Sequence, residues 1–87
     1  MADRIRLKVV GASGVLLERD VSYINLPTPG GSVGILANHA PMLCAVGEGR
    51  LRYRFEGGEE SLFVPGGVAS VEDNAVTVLA EEAGKEA

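Results

Sequence analysis

The stretch at residues 50–55, Arg-Leu-Arg-Tyr-Arg-Phe, alternates cationic with apolar side chains without interruption. Because successive side chains of a β-strand point to opposite faces, this alternation predicts a strand with one buried and one solvated face. The stretch at residues 4–9, Arg-Ile-Arg-Leu-Lys-Val, repeats the pattern with the same sign of charge. Both segments predict strands of an all-β protein.

Short apolar runs fill most of the remaining chain, and turn-forming residues separate them about every 8–10 residues. Glu56 to Glu59 predicts a hairpin connection, and Asp73-Asn74 predicts a two-residue primed turn, because Asp and Asn tolerate positive φ. The run that begins at Val21 is expected to stop at Pro27, since proline cannot donate to a ladder. No long window carries a helical apolar period. The pattern predicts two packed antiparallel sheets.

Length and composition restrict the chain further. Eighty-seven residues make one domain, which we place at residues 1–80, followed by an acidic tail at residues 81–87 that is expected to fray. A net charge of −4 argues against nucleic acid as a partner. No signal peptide is predicted, and the longest apolar stretch, residues 40–46, is too short to span a bilayer.

Residues for catalysis are scarce. His39 is the only histidine and Cys44 the only cysteine, so a multi-histidine metal site and an internal disulfide are both excluded. A Cys44–His39 pair would also need an orienting group and an oxyanion hole, and the sequence signals neither; Cys44 is expected to be a buried thiol. The glycines at residues 30–34 lack the Gly-Lys-Ser/Thr ending of a phosphate-binding loop. No catalytic residue, cofactor or metal is predicted.

Six of the eight basic residues lie in the two alternating stretches, at positions 4, 6, 8, 50, 52 and 54. One interpretation is a solvated outer surface that discourages edge aggregation, with Glu59 and Glu60 neutralising the second row across the strands. The other interpretation is a docking face for an acidic partner.

The segment at residues 27–41 combines three prolines and three glycines with the apolar residues Val33, Ile35 and Leu36, which are expected to be exposed. A loop of this composition is typical of a partner contact on a sandwich. The alternative is a simple crossover between the sheets.

Residues 31–43, Gly-Ser-Val-Gly-Ile-Leu-Ala-Asn-His-Ala-Pro-Met-Leu, resemble a segment of the F-type ATP synthase epsilon subunit, in which a glycine-rich strand leads into His-Ala-Pro. The resemblance continues at residues 5–10, 49–52, 65–68 and 73–80, and so covers nearly the whole chain. The chain shows three departures from that family: Ser32 replaces a common acidic residue, Ala37-Asn38 replaces Pro-Gly, and Cys44 replaces threonine.

The resemblance implies a flattened β-sandwich of about ten short strands. It also implies a non-catalytic rotor subunit of the central stalk of a proton- or sodium-translocating ATP synthase, which couples the gamma subunit to the membrane c-ring. Such a subunit would lie at the cytoplasmic face of the membrane, peripherally and without insertion. The partner-binding residues implied are Gly31, Ser32, Val33, Gly34, Asn38 and His39.

Members of that family continue into a C-terminal helical hairpin that blocks ATP hydrolysis and in some cases binds ATP. For a chain that ends at Ala87, the resemblance implies neither hairpin inhibition nor nucleotide binding. From the residues alone, a second function remains open, a free-standing β-sandwich that binds a small polar ligand. A cavity lined by Tyr23 or Tyr53 would favour that second function.

Overall fold

The computed structural model of the protein describes residues 4–81. The predicted tail, apart from Glu81, lies outside the described residues, and the division into sandwich and tail stays a prediction. Nine strands form within the described part: β1 (Ile5–Gly11), β2 (Gly14–Val21), β3 (Tyr23–Thr28), β4 (Gly31–Leu36), β5 (Met42–Val46), β6 (Gly49–Phe55), β7 (Gly58–Val64), β8 (Gly67–Glu72) and β9 (Ala75–Ala80).

The strands form two sheets, one with the order β2-β1-β9-β8-β5 and the other with the order β4-β3-β6-β7. The predicted all-β sandwich is therefore confirmed, with nine strands in residues 4–81 where about ten were expected. The expectation of purely antiparallel sheets was wrong at one ladder, because β1 pairs with β9 in parallel, from Arg6↔Ala75 to Val10↔Leu79. These two strands are far apart in the sequence, and turn signals report only on strands that follow each other along the chain.

Alternation places the core between the sheets. The apolar residues of the two stretches that predicted strands are buried except Phe55, which is half-buried, and Leu7 and Leu51 have no exposed surface. Each such side chain contributes roughly 1.5–3 kcal/mol by leaving water. The buried side chains of residues 4–81 are all hydrophobic: Ile5, Leu7, Val9, Val21, Ile24, Leu26, Ile35, Val46, Leu51, Tyr53, Val64, Ala69, Val71, Val76, Val78 and Ala80.

Both predicted hairpins form. Asp73 and Asn74 have φ values of 50° and 59°, and Glu72 pairs with Ala75, so the connection is the predicted two-residue primed turn. The other connection is Glu56-Gly57, which joins β6 to β7.

The segment at residues 27–41 is mostly strand, which corrects two expectations. The strand β3 continues through Pro27, and its pairing with β6 ends at Asn25, so proline interrupts no ladder on that side. The carbonyl of Pro27 accepts a hydrogen bond from the Gly47 amide at 2.9 Å. The next strand, β4, fills residues 31–36, so the crossover to the other sheet is confined to residues 37–41. Ile35, expected to be exposed, is buried because it lies on the inner face of β4.

Candidate docking surfaces

The six predicted partner-binding residues do not form one cluster. Gly31, Ser32, Val33 and Gly34 lie on β4, an edge strand of the four-stranded sheet, whereas Asn38 and His39 lie in the loop beyond its other end. At a rise of about 3.4 Å per residue, β4 separates its two ends by about 17 Å. The predicted residues therefore present two separate surfaces, a hairpin tip and a loop.

The hairpin tip is a tight connection at Pro29-Gly30. The Thr28 hydroxyl donates a hydrogen bond to the Gly31 carbonyl, and Gly31 adopts a φ of 128°, a conformation that side chains rarely adopt. Ser32 is exposed beside the tip, and Val33 is half-buried against the core. Gly31 thus shapes the tip, and Ser32 is the side chain it presents.

Gly34 has a packing role. A Cβ at this position would lie 2.9 Å from the Tyr23 hydroxyl oxygen and 3.2 Å from the Tyr23 Cε1 atom. The glycine therefore makes room for the Tyr23 ring, which lies over the outer surface of β4.

The loop that carries His39 is tied to the turn between β8 and β9 in the other sheet. The Asn38 amide donates to the Asn74 Oδ1 atom at 2.5 Å, and the Asn74 Nδ2 atom donates to the Asn38 Oδ1 atom at 3.3 Å. Asn38 has a φ of 67°, a left-handed conformation that asparagine tolerates better than most residues. Asparagine therefore fits this position: Asn38 adopts the left-handed turn conformation, and its side chain adds a hydrogen bond.

We expect Asn74→Ala to loosen this loop. The substitution removes two hydrogen bonds and places alanine at a φ of 59°, so the free energy of unfolding should fall by about 1–3 kcal/mol. Urea unfolding followed by circular dichroism measures the loss, and amide hydrogen exchange at residues 37–39 reports loop opening. Asn74→Gly is the matched control, because glycine keeps the backbone conformation and loses only the side-chain hydrogen bonds. Unchanged exchange in Asn74→Ala would contradict the role of this contact.

His39 itself is half-buried, and its Nδ1 atom lies 2.7 Å from the Ala40 carbonyl oxygen. It borders a shallow indentation that has no room for a water molecule, lined by Ile5, Ile35, Leu36, His39, Val71, Asn74 and Val76.

Cys44 is half-buried on the inner face of β5 and packs against the core, so its thiol is less buried than expected. Within residues 4–81, no group of three or more His, Cys, Asp or Glu side chains is placed to hold a metal ion. The same residues contain no helix that could cross a membrane.

An exposed apolar row crosses the outer face of the five-stranded sheet, and sequence reasoning missed it. The register places its members side by side from β2 to β5, so the row is about 19 Å long at 4.8 Å between strands. Leu79 and Val68, at its middle, are 56% and 45% exposed. The row consists of Val15, Val10, Leu79, Val68 and Ala45, and Leu43 lies beside it.

In the first basic row, Arg6 pairs with acids on the adjacent strand and Arg4 with Glu56, whereas Lys8 forms no ion pair among the described residues. The Arg6 guanidinium contacts the Asp20 carboxylate at 2.8 Å and the Glu18 carboxylate at 3.5 Å. The hydrogen bond to Asp20 raises the pKa of Arg6. Arg4 pairs with Glu56 at 3.6 Å.

The predicted neutralisation of the second basic row is found in part. Glu59 pairs with Arg54 at 3.7 Å, as the cross-strand register suggested. Glu60 instead contacts Arg19 at 3.4 Å and accepts a hydrogen bond from the Tyr53 hydroxyl at 3.2 Å. Burial, aided by this hydrogen bond, raises the pKa of Tyr53. Glu60 therefore links β2 to the other sheet.

An exposed apolar row, such as the one on the outer face of this sandwich, is typical of surfaces that contact other proteins. Comparison with known proteins shows the family to which this sandwich belongs. The family described as the ATP synthase delta/epsilon chain, β-sandwich domain, matches residues 4–86. The chain belongs to this family.

Similar bacterial proteins are ATP synthase epsilon chains. The chain is 39% identical over 83 residues to the ATP synthase epsilon chain of Desulfitobacterium hafniense, covering 95% of this chain and 63% of the relative. It is 42% identical over 83 residues to the ATP synthase epsilon chain of Nitratidesulfovibrio vulgaris, covering 95% of this chain and 62% of the relative. The chain thus spans about three fifths of the length of these curated relatives.

Solved structures agree with the fold. A chain in the mitochondrial ATP synthase of Euglena gracilis, solved as OSCP, F1 and c-ring, superposes with a TM-score of 0.82 at 28% identity, covering 88% of this chain and 50% of that chain. A chain in the central stalk and c-ring of the Tetrahymena thermophila mitochondrial ATP synthase superposes with a TM-score of 0.74 at 20% identity, covering 88% and 63%. The second likeness concerns the fold alone.

Proposed function

We propose that the protein is a non-catalytic rotor subunit in the central stalk of a proton- or sodium-translocating F-type ATP synthase, where it couples the gamma subunit to the c-ring. The observation that carries the proposal is family membership across residues 4–86. The Euglena likeness, a chain from an assembly that contains F1 and the c-ring, supports it. In this role the protein lies peripherally at the cytoplasmic face of the membrane.

The apolar row is the surface best suited to a permanent partner. Val68 and Leu79 are large apolar side chains exposed at adjacent positions of two central strands. Exposed apolar patches of this kind mark protein interfaces, and burying them stabilises a complex by roughly 25 cal/mol per Å² of apolar area. We assign the row to the gamma subunit.

The two ends of β4 supply the remaining contacts. The hairpin tip with Gly31 and Ser32 projects from one end of the sandwich, and the tethered loop with Asn38 and His39 lies at the other. We assign the tip to the polar loops of the c-ring and the tethered loop to the gamma subunit. Val33 and Gly34, which were predicted to contact partners, would act by holding β4 in place, because they pack against the core and Tyr23.

Transmission of torque requires a stiff body rather than a reactive one. Every strand of the described fold pairs with at least one neighbour, and the core contains no buried polar side chain that would need a partner. The Asn38–Asn74 contact and the Glu60 network connect the two sheets at different places. Force applied at one surface would therefore reach the other with little internal movement.

Titration calorimetry with the gamma subunit of the same organism tests the proposal. We expect one chain to bind per gamma subunit, with a Kd below about 1 μM, a value common for permanent interfaces. Removal of apolar surface from water should give the binding a negative heat-capacity change. No measurable heat at micromolar concentrations, checked by co-elution in gel filtration, would overturn it.

The alternative of a small-ligand module has less support. Tyr53 is buried with its hydroxyl bonded to Glu60, and Tyr23 lies on the outer face, so neither lines an internal cavity. Apart from the Tyr53 hydroxyl, which is already bonded to Glu60, the buried side chains of residues 4–81 offer a ligand no polar group.

A further inference from the structure

The outer face of the four-stranded sheet carries the second basic row. Arg50, Arg52 and Arg54 are exposed at alternate positions of β6, about 6.8 Å apart along the strand. Because β6 pairs with β3 on one side and β7 on the other, the row follows an interior strand. Protection of a sheet edge, the simple explanation for strand cations, therefore does not account for this row.

The charges of the row are unequally satisfied. Arg54 pairs with Glu59 at 3.7 Å, and its guanidinium lies 5.3 Å from the centroid of the Tyr23 ring. Among the described residues, Arg50 and Arg52 form no ion pair. Their cross-strand neighbours are neutral: Phe63 beside Arg50, and Asn25 and Ser61 beside Arg52.

The two basic rows differ in their cross-strand neighbours, although Lys8, like Arg50 and Arg52, forms no ion pair among the described residues. On the five-stranded sheet, the register places Asp20 opposite Arg6 and Glu18 opposite Lys8. On the four-stranded sheet, the corresponding positions opposite Arg50 and Arg52 hold no acid. A chain with a net charge of −4 thus concentrates unpaired positive charge on one flat face, and that charge attracts an anionic partner.

We propose that this face, formed by Arg50 and Arg52 with Asn25, Ser61 and Phe63 around them, is a docking surface for an acidic polypeptide segment. Carboxylates on alternate residues of an extended segment repeat about every 6.8 Å, the spacing of the two arginines. Arginine forks bind carboxylates with two hydrogen bonds, while Asn25 and Ser61 can bond the peptide backbone. Phe63, which is 46% exposed, offers apolar contact at the border.

Other anions fit this surface less well. A lipid surface is recognised by clusters of about four to eight cations, and this face has two that are unpaired. Nucleic acid requires a basic excess that the chain does not have. Inorganic phosphate favours converging backbone amides, and a regular sheet face directs its amides along the ladder instead.

The apolar row lies on the outer face of one sheet and the two unpaired arginines on the outer face of the other. The sandwich can therefore hold an apolar partner and an acidic segment at the same time. The inference does not depend on the rotor function, because it uses only the second sheet.

The test measures binding of a fluorescent peptide of alternating glutamate and threonine to the full chain by anisotropy, with a glutamine–threonine peptide as the uncharged control. The variants are Arg50→Ser/Arg52→Ser and, as a matched control with the same net charge, Arg4→Ser/Lys8→Ser on the other sheet. We expect the first pair to weaken binding about tenfold and the second less than about twofold, since each lost ion pair is worth a few-fold at an exposed site. Raising the salt from about 20 to 300 mM should weaken wild-type binding.

Three outcomes would overturn the proposal. Equal loss in both double variants would mean that net charge alone controls binding. Equal binding of the glutamine peptide would mean that the carboxylates are not recognised. Arginine-dependent binding to phosphatidylcholine vesicles that contain phosphatidylserine, with none to the acidic peptide, would assign the face to a lipid surface. Thermal unfolding of each variant checks that the sandwich is intact. If the chain binds the acidic peptide through Arg50 and Arg52 but does not bind the gamma subunit, the rotor function fails and this inference stands.

Discussion

Replacing Gly67 with alanine is expected to remove most of the stability of the sandwich. A Cβ at this position would lie 2.1 Å from the Leu79 carbonyl oxygen and 3.0 Å from the Ala80 Cα atom, both of which are backbone. The φ of 147° at Gly67 is also one that side chains rarely adopt. Gly67 pairs with Ala80 on one side and Val46 on the other, so relief of the clash must move two ladders.

We therefore expect Gly67→Ala to lower the free energy of unfolding by more than about 4 kcal/mol, the range reached when backbone or core must be displaced. A domain of this length has a total stability of about 4–13 kcal/mol, so the variant should be partly or wholly unfolded at 25 °C. Circular dichroism in a urea series measures the change.

Gly30→Ala is the matched control for that substitution. Gly30 lies in the exposed turn between β3 and β4, and an added Cβ would meet no atom within 4 Å. Its stability should change by less than about 0.5 kcal/mol. A urea midpoint for Gly67→Ala equal to that of Gly30→Ala would contradict the packing described at the start of β8.

Placing an aspartate in the apolar row is expected to have the largest effect on partner binding. Leu79 lies between Val68 and Val10 at the middle of the row and is 56% exposed. Leu79→Asp removes a central apolar contact and buries a carboxylate without a partner when the gamma subunit docks. We expect the affinity for the gamma subunit to fall about 100-fold, as at the central positions of other interfaces.

The fold should survive this change, because exposed strand substitutions cost about 1 kcal/mol or less. Phe63→Asp on the opposite face is the matched control: it also replaces an exposed apolar side chain, 46% exposed, with one negative charge. Its affinity for the gamma subunit should stay within about twofold of wild type. Equal affinities of the two variants in the calorimeter would show that the gamma subunit docks elsewhere.

Much of the fold was predictable because alternation reports burial directly. The stretches at residues 4–9 and 50–55 gave the inner and outer faces of two strands, and Asp73-Asn74 gave a turn type through backbone preference. The boundary at Ser22 was not predictable in this way. A single residue there separates β2 in one sheet from β3 in the other, and the apolar run from Val21 to Leu26 continues across it.

The surfaces were less predictable, because they depend on register between distant strands. In β9, alternate residues Val76 and Val78 are buried, and Leu79 directly follows Val78. The alternation itself therefore places Leu79 on the outer face. Only the parallel pairing of β9 with β1 extends that signal into a row with Val10 and Val15. The resemblance to the epsilon family pointed to residues in β4 and in the loop after it, and their role in partner binding stays a prediction. The separation of the hairpin tip from the His39 loop follows only from the length of β4 in the structure.

ATP-driven ion pumping would show whether this sandwich couples the gamma subunit to the ring. ATP synthase in membrane vesicles would be depleted of the chain and then reconstituted with wild type or Leu79→Asp. We predict that depletion abolishes pumping while ATP hydrolysis continues, that wild type restores pumping, and that Leu79→Asp at the same concentration does not. Undiminished pumping in the depleted vesicles would show that the sandwich does not couple the gamma subunit to the ring.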